Sequence, residues 1–398
     1  MKKTFILGLL FALACGAFGN AAKLVPPKVT MAMWDFSWLR CHYSGGSFED
    51  WGKVLDEAKE RGFNTVRIDA FPLLIDDLHQ QGKQSILFTA LPHDNWGPST
   101  KDVEHNVAGE LVEFMEIAKE KNVYVILSTW NLHVDRNKYT VREDFWRAWE
   151  LVLDMLNEKG LLSHVLYVDF DQEFPHFTPF GAQLGNPPSA AGDSAGDMEN
   201  AGSTVGSWNG AQRAFVKDYF ESTLAHFNTK YPDMRFTFSM TTHWEEARSL
   251  NLKGMGVLEL HCWIEGQLDK YTGFNALTKT RNPALDYKEY MAKINDAMKN
   301  HKEDFKAHMK AQLELATAWA DELGVPLTTS EAWGPWWHMD HPDLEWQWLY
   351  DWCEYGMGLS GDYGFWGSTP WNYAHPYWEN WKNIEWYQRV NSNFLNSK

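Results

Sequence analysis

Cysteine is scarce in this chain, basic residues never cluster, and no hydrophobic run approaches the length of a membrane span. Each shortage removes a class of answer. Of the 4 cysteines, Cys15 lies in the N-terminal apolar stretch, leaving Cys41, Cys262 and Cys353, which can form at most one disulfide. No Cys-x-x-Cys pair suggests a zinc site, so the fold depends on its core. A net charge of -17 with no basic run argues against a nucleic-acid partner, because phosphate binding needs clustered Lys and Arg. The apolar stretch from Phe5 to Ala14 is too short to cross a bilayer. Preceded by Lys2 and Lys3 and followed by Ala17-Phe18-Gly19, it reads as a secretory signal peptide over residues 1–19. The expectation is an exported protein without a membrane span, periplasmic or extracellular, or a surface lipoprotein if Cys15 is processed. No glycine-rich phosphate loop follows the first strand, and no internal repeat or heptad array is present.

Hydrophobic residues make up 44% and charged residues 22% of 398, enough for a full-sized core. Residues 20–398 fit one large α/β barrel domain with insertions. The 22 Trp, 15 Tyr and 23 Phe fill a core and also supply flat apolar faces on which sugar rings stack.

From residue 29 onward, short apolar runs alternate with helical patterns. Strands are expected at Val29–Leu39, Asn64–Ala70, "VYVILSTW", "VLYVDF", "RFTFSMTTHW", "GVLELHCWI", "VPLTTSEAW" and "LSGDYGFWG". A helix capped by Ser47 carries Trp51, Val54, Leu55 and Ala58 at helical spacing, and another carries Val107, Leu111, Phe114, Met115 and Ala118. Further helices are expected near 142–158, 209–229, 285–323, 343–356 and 378–394. Eight strands with interleaved helices predict an α/β fold, a (β/α)8 TIM barrel with long βα-loops; an open doubly wound sheet is the alternative. The long loops are Phe71–Ser99 and Gly181–Gly210.

In such a barrel the chemistry sits where strands end and βα-loops begin. Glu173, in "VDFDQEF", ends the fourth strand and Glu331, in "TTSEAW", the seventh. Two carboxylates converging on one pocket are the minimal apparatus for glycoside hydrolysis. On these motifs the chain resembles the clan A glycoside hydrolases, especially the cellulase-like family 5 group. The resemblance implies a retaining β-glycosidase, with Glu173 as acid/base and Glu331 as nucleophile, acting on a β-linked glycan without a cofactor or metal. It further implies that Arg67 in "NTVRIDA" hydrogen-bonds the nucleophile. His261 and Trp263 in "HCW" stand for the family's strand-six His-x-Tyr, and Trp366 in "GFWG" for the strand-eight Trp that floors the subsite of bond cleavage. Asn131 and His133 in "LSTWNLH" are implied as sugar contacts. One position departs from the pattern: the residue before the acid/base is Gln172 instead of Asn. Its longer side chain displaces the amide that meets the sugar 2-hydroxyl by about 1.5 Å.

Residue by residue, other fates are open. Arg67 can be a buried partner of Asp35 or Asp69, His261 a core histidine, and Trp366 packing. Two other functions compete: a barrel that binds glycans without cutting them, and a metal-dependent hydrolase drawing on His93, His133, His176, His243, His261 and Glu173. The latter lacks His-x-His on strand one and any His-Glu-x-x-His helix. Trp96, Trp208, Trp333, Trp336, Trp337 and Trp371 near the loops favour an endo-acting enzyme on a polymer and equally allow a crowded exo-acting pocket. The sequence names neither the sugar nor the oligomeric state.

Overall fold

The computed structural model describes residues 25–92, 98–139, 141–175, 177–178, 208–241, 244–273, 287–335, 338, 340–371 and 374–398. The leader segment 1–19, most of the Gly181–Gly210 loop, and His93, Trp96, His176, His243, Trp336 and Trp337 lie outside these residues. In chain order the strands are β1 (Val29–Asp35), β2 (Thr65–Asp69), β3 (Ile86–Phe88), β4 (Val103–His105), β5 (Tyr124–Ser128), β6 (Val165–Asp169), β7 (Phe236–Thr237), β8 (Leu258–Glu259), β9 (Leu327–Thr329) and β10 (Gly367–Ser368). All except β3 and β4 form one parallel sheet in the order β7-β6-β5-β2-β1-β10-β9-β8. Its two edges meet. Met240 N donates to Glu259 O (3.1 Å), His261 N to Met240 O (2.8 Å) and Gly256 N to Phe236 O (2.8 Å), and a parallel bridge pairs Met240 with Leu260. The expected (β/α)8 barrel is therefore the fold.

Every residue of β1 is buried, as a parallel strand covered by helices outside and by side chains inside must be. The covering helices follow the periodicity of the sequence. Trp51–Glu60 buries Trp51, Val54, Leu55 and Ala58, and Val107–Glu120 buries Val107, Leu111, Phe114, Met115 and Ala118. The cap of the first of these is Asp50, which accepts from Lys53 N at 2.9 Å, and not the expected Ser47. Among the described residues no helix is long and apolar enough to cross a membrane. Cys41, Cys262 and Cys353 are buried and form no disulfide among the described residues.

The connection after β2 is more ordered than its composition announces. It contains a helix, Pro72–Gln80, and the antiparallel hairpin β3–β4. The eighth barrel strand lies further along the chain than expected. Residues 359–362 close the helix Gln347–Asp362, and the strand begins only at Gly367. This helix carries glycines at 356, 358 and 361, two of which permit close packing. A Cβ on Gly356 would stand 2.5 Å from the Trp333 ring, and one on Gly361 would stand 2.8 Å from Ser397 Oγ.

This shift relocates Trp366. It precedes β10, its Nε1 donates to Pro26 O at 2.8 Å, and the Arg235 guanidinium lies 5.4 Å from its ring centre. Together with Val29, Met31, Ile126, Tyr167 and Val257 it fills the N-terminal end of the barrel. Trp366 is therefore a plug at the closed end and not the floor of a subsite at the open end. The strand-eight tryptophan on the C-terminal side is Trp371, which is buried.

Candidate active site

Barrel strands deliver inward-facing side chains in layers, and above the apolar plug the layers turn polar. Arg67 on β2 is 0% exposed, and all five of its N–H donors are used. Nε and Nη2 grip Asp35 at 3.0 and 2.9 Å. Nη1 donates to Gln172 Oε1 (3.1 Å) and to Ser330 Oγ (2.6 Å). Nη2 also contacts Glu331 Oε1 closely. Arg67 is thus both the buried partner of Asp35 and a ligand of Glu331; the two readings of its role are compatible.

Glu173 follows β6, and its main chain is held from β7's extension: Glu173 N donates to Ser239 Oγ at 3.0 Å and Phe174 N to Ser239 O at 2.8 Å. Its φ of 52° is left-handed. Among the described residues, five of the seven non-glycine residues with positive φ, namely Asp35, Phe71, Asn131, His133 and Glu173, stand just at or beyond the ends of barrel strands one to four. Such conformations cost of order 1–3 kcal/mol each and concentrate at functional sites. Here they bend the chain ends around one mouth.

His261, just beyond β8, joins the two acids. Its Nδ1 lies 3.0 Å from Glu173 Oε1 and 3.4 Å from Glu331 Oε2. One atom from each of Glu173, His261 and Glu331 lies within 4.8 Å of the others. Burial works against a charged imidazole, but Glu331 and Glu173 outweigh it and raise His261 to about 9. Burial pushes Glu331 up to about 7, against the pull of His261 and Arg67. The environments of the two acids differ: Glu331 is 1% exposed and meets two cationic groups, while Glu173 is 9% exposed and meets His261.

Gln172 is fully buried. Its Oε1 accepts from Arg67 (3.1 Å) and Ser239 Oγ (3.2 Å), which fixes the amide so that Nε2 is the end without a hydrogen-bond partner among the described residues. Asn131 spends its Nδ2 on Asp171 Oδ1 at 2.8 Å. Burial holds Asp171 well above the usual carboxylate range. His133 is half-buried and packs among Phe36, Phe71 and Phe88 at 5.0–5.6 Å between ring centres. Trp263 is half-buried beyond β8. The structure thus brings Arg67, Gln172, Glu173, His261 and Glu331 into one network, sets Asn131 beside it through Asp171, and removes Trp366.

Sequence reasoning passed over three members of the network. Ser239 and Ser330 carry no signal beyond their places at strand ends. Glu259 does: an acid in the apolar run "GVLELHCWI" at an inward position is conspicuous.

Among the described residues, Glu173, His261 and Glu331 are the one set close enough to hold a cation together. A cation there would compete with the Nδ1 hydrogen that faces both acids and would stand beside the Arg67 guanidinium, so the donor set does not suit a resident metal.

A family model described as sugar-binding cellulase-like matches residues 31–395. No curated protein matches the chain. Among solved structures, a candidate glycoside hydrolase of Parabacteroides distasonis is 27% identical, with a TM-score of 0.77 over 93% of this chain and 94% of its own. GH5_18 of Streptomyces cattleya, solved in complex with GlcNAc, has a TM-score of 0.54 at 12% identity, over 93% of this chain and 81% of its own. The cellulose synthase subunit Z of Clostridioides difficile has a TM-score of 0.52 at 10% identity, over 93% of this chain and 100% of its own. The last two share the fold alone. With a match that runs from β1 to the final helix, this chain belongs to the sugar-binding cellulase-like family.

Proposed function

We propose that the protein is a retaining β-glycoside hydrolase with Glu331 as nucleophile and Glu173 as acid/base. The observation that carries this reading is the carboxylate pair itself. An oxygen of each acid lies within 4.8 Å of the other, near the spacing of about 5–5.5 Å used by retaining enzymes and short of the 6.5–9.5 Å that an inverting enzyme needs for its water. The unequal surroundings support these roles. Arg67 and His261 together favour the anion at Glu331, and the more accessible Glu173 can give a proton to a leaving group and later take one from water.

Glu331 attacks the anomeric carbon as the glycosidic C–O bond breaks, and the proton of Glu173 goes to the departing oxygen. Glu173, now a carboxylate, takes a proton from a water whose oxygen attacks the same carbon and releases Glu331. Gln172 Nε2, locked in orientation by Arg67 and Ser239, is the donor offered to the sugar 2-hydroxyl. The substrate is a β-linked polysaccharide or oligosaccharide. The sequence of residues 1–19 supports export of the mature domain 20–398, which the mass of the protein secreted by its host would test.

Reducing-sugar release across a panel of β-linked glycans, with Glu331→Gln in parallel, tests the proposal. Release by the wild type, abolished in the variant and unaffected by EDTA, is the expected result. Binding to a glycan without any release, equal in both proteins, would favour a non-catalytic barrel, a reading that the family's sugar-binding description also accommodates.

A further inference from the structure

Glu259 lies beneath the carboxylate pair, 0% exposed, and has no part in the mechanism above. Its carboxylate accepts four hydrogen bonds. Tyr167 Oη donates to Oε2 at 2.6 Å, and Thr328 Oγ1 donates to the same oxygen. Ser330 gives Oε1 both its backbone N–H at 2.6 Å and its hydroxyl at 2.8 Å. Ser330 is the residue before Glu331, and its hydroxyl also receives Arg67 Nη1. The strand end that presents the nucleophile is therefore tied from below to Glu259 and from the side to Arg67.

Glu259 also faces His261. Oε1 is 4.0 Å from Nε2, a buried nitrogen with no hydrogen-bond partner among the described residues. The other ring nitrogen faces the oxygens of Glu173 and Glu331 and must carry hydrogen to be held there. A lone pair on Nε2 would point at a carboxylate and be repelled; an N–H is attracted. The remaining charged groups about the ring are Arg67, which opposes its charge, and Asp169, which interacts with it across the barrel.

We propose that Glu259 is a positioning residue of the active site: it fixes Ser330 under the nucleophile and holds His261 as an imidazolium between Glu173 and Glu331. The consequence is a cation that stays in place through both steps of the reaction, so that when Glu331 loses its charge to the glycosyl ester, Glu173 still has a partner for its own.

The inference rests on the hydrolase reading for its catalytic meaning, but its main test does not require turnover. In protein labelled with 15N-histidine, with the His261 signals identified through His261→Gln, the wild type should show both ring nitrogens protonated at pH 7. In Glu259→Gln the apparent pKa of His261 should fall by about one to three units, the effect of removing a unit charge at about 4 Å. A wild-type His261 with one bare nitrogen at pH 7 overturns the proposal without recourse to any variant, which covers failure of Glu259→Gln to fold. A folded variant whose His261 titrates as in the wild type overturns it as well, since a merely structural residue would lower Tm and leave the ring alone. With an active substrate in hand, Glu259→Gln should lower kcat about tenfold or more and change KM less than threefold. An inert protein that shows the His261 shift would sink the hydrolase reading and leave this one standing.

Discussion

Replacing Glu331 by Gln should stabilise the protein at alkaline pH while abolishing its activity. Burial has pushed the Glu331 carboxyl up from 4.5 to about 7 in spite of Arg67 and His261. A carboxyl whose folded pKa is raised adds stability that is complete below its unfolded pKa and is lost as pH rises through the folded one. The interval from 4.5 to about 7, at 1.36 kcal/mol per pH unit, makes that loss about 3 kcal/mol by pH 8. Gln has nothing to ionise. It still offers Arg67 an oxygen, and exchanging a charge-assisted bond for a neutral one gives back about 1 kcal/mol. Urea unfolding of both proteins at pH 5 and pH 8 checks this. Asp69 and Asp169, pushed up to about 7 by burial, and His338 and His375, pushed down to about 3 by burial, titrate in both proteins and cancel in the comparison. The variant should match the wild type at pH 5 and exceed it by about 2 kcal/mol at pH 8, a midpoint rise of roughly 0.7 M for a slope near 3 kcal/mol per M. Were Glu331 only one arm of a structural ion pair, its removal would cost about 3–5 kcal/mol. A variant less stable than the wild type at pH 8 by that amount refutes the reasoning. The same ionisation should appear as a rise of wild-type kcat/KM through pH about 7.

Other substitutions separate the two ends of the barrel. Trp366→Ala empties the plug and should lower stability by about 3–5 kcal/mol in chemical denaturation, with KM unchanged in the folded fraction; a large rise in KM would return Trp366 to the substrate. Arg67→Lys offers three donors where five acceptors wait, so at least two buried bonds are lost. The expected cost is about 2–6 kcal/mol, together with a kcat/KM at least tenfold lower, and a near-neutral result in both assays would contradict the network described. Gly356→Ala drives a methyl into the Trp333 ring and should cost about 1–3 kcal/mol in thermal or urea unfolding, with activity per folded molecule intact.

The sequence revealed most of the frame because its signals were local. Buried parallel strands are continuous apolar runs, and the helices over them carry one apolar stripe, so seven barrel strands and the helices around them could be placed. It failed where tertiary packing overrides local preference. The eighth strand was expected to begin at Leu359, but the helix before it runs on to Asp362, with Gly356 against Trp333 and Gly361 against Ser397; the strand starts only at Gly367, which makes Trp366 a plug and not a platform. The hairpin β3–β4 has three residues per strand, too few for alternation to show. At the site, Glu173, Glu331 and His261 were legible as polar residues at strand ends, and Arg67 as a cation inside an apolar strand. Apart from the pairing of Arg67 with Asp35, the ties among them were not, because Ser239 comes from another strand, and Ser330 and Glu259, although next to Glu331 and His261 in the chain, bond to groups on other strands.

The barrel's circuit is completed where β7 and β8, two residues each, meet through Met240. Local opening follows the sparsest hydrogen bonding, and this joint is narrow on both sides. Beyond it on one side stands Ser239, which holds Gln172 and Glu173; on the other stands His261, which holds both acids. A breath of the joint parts these two supports together. Hydrogen exchange at the amides of Met240 and His261 therefore times how long the site stays assembled, and a bound glycan that spans the mouth would act as a clasp across it.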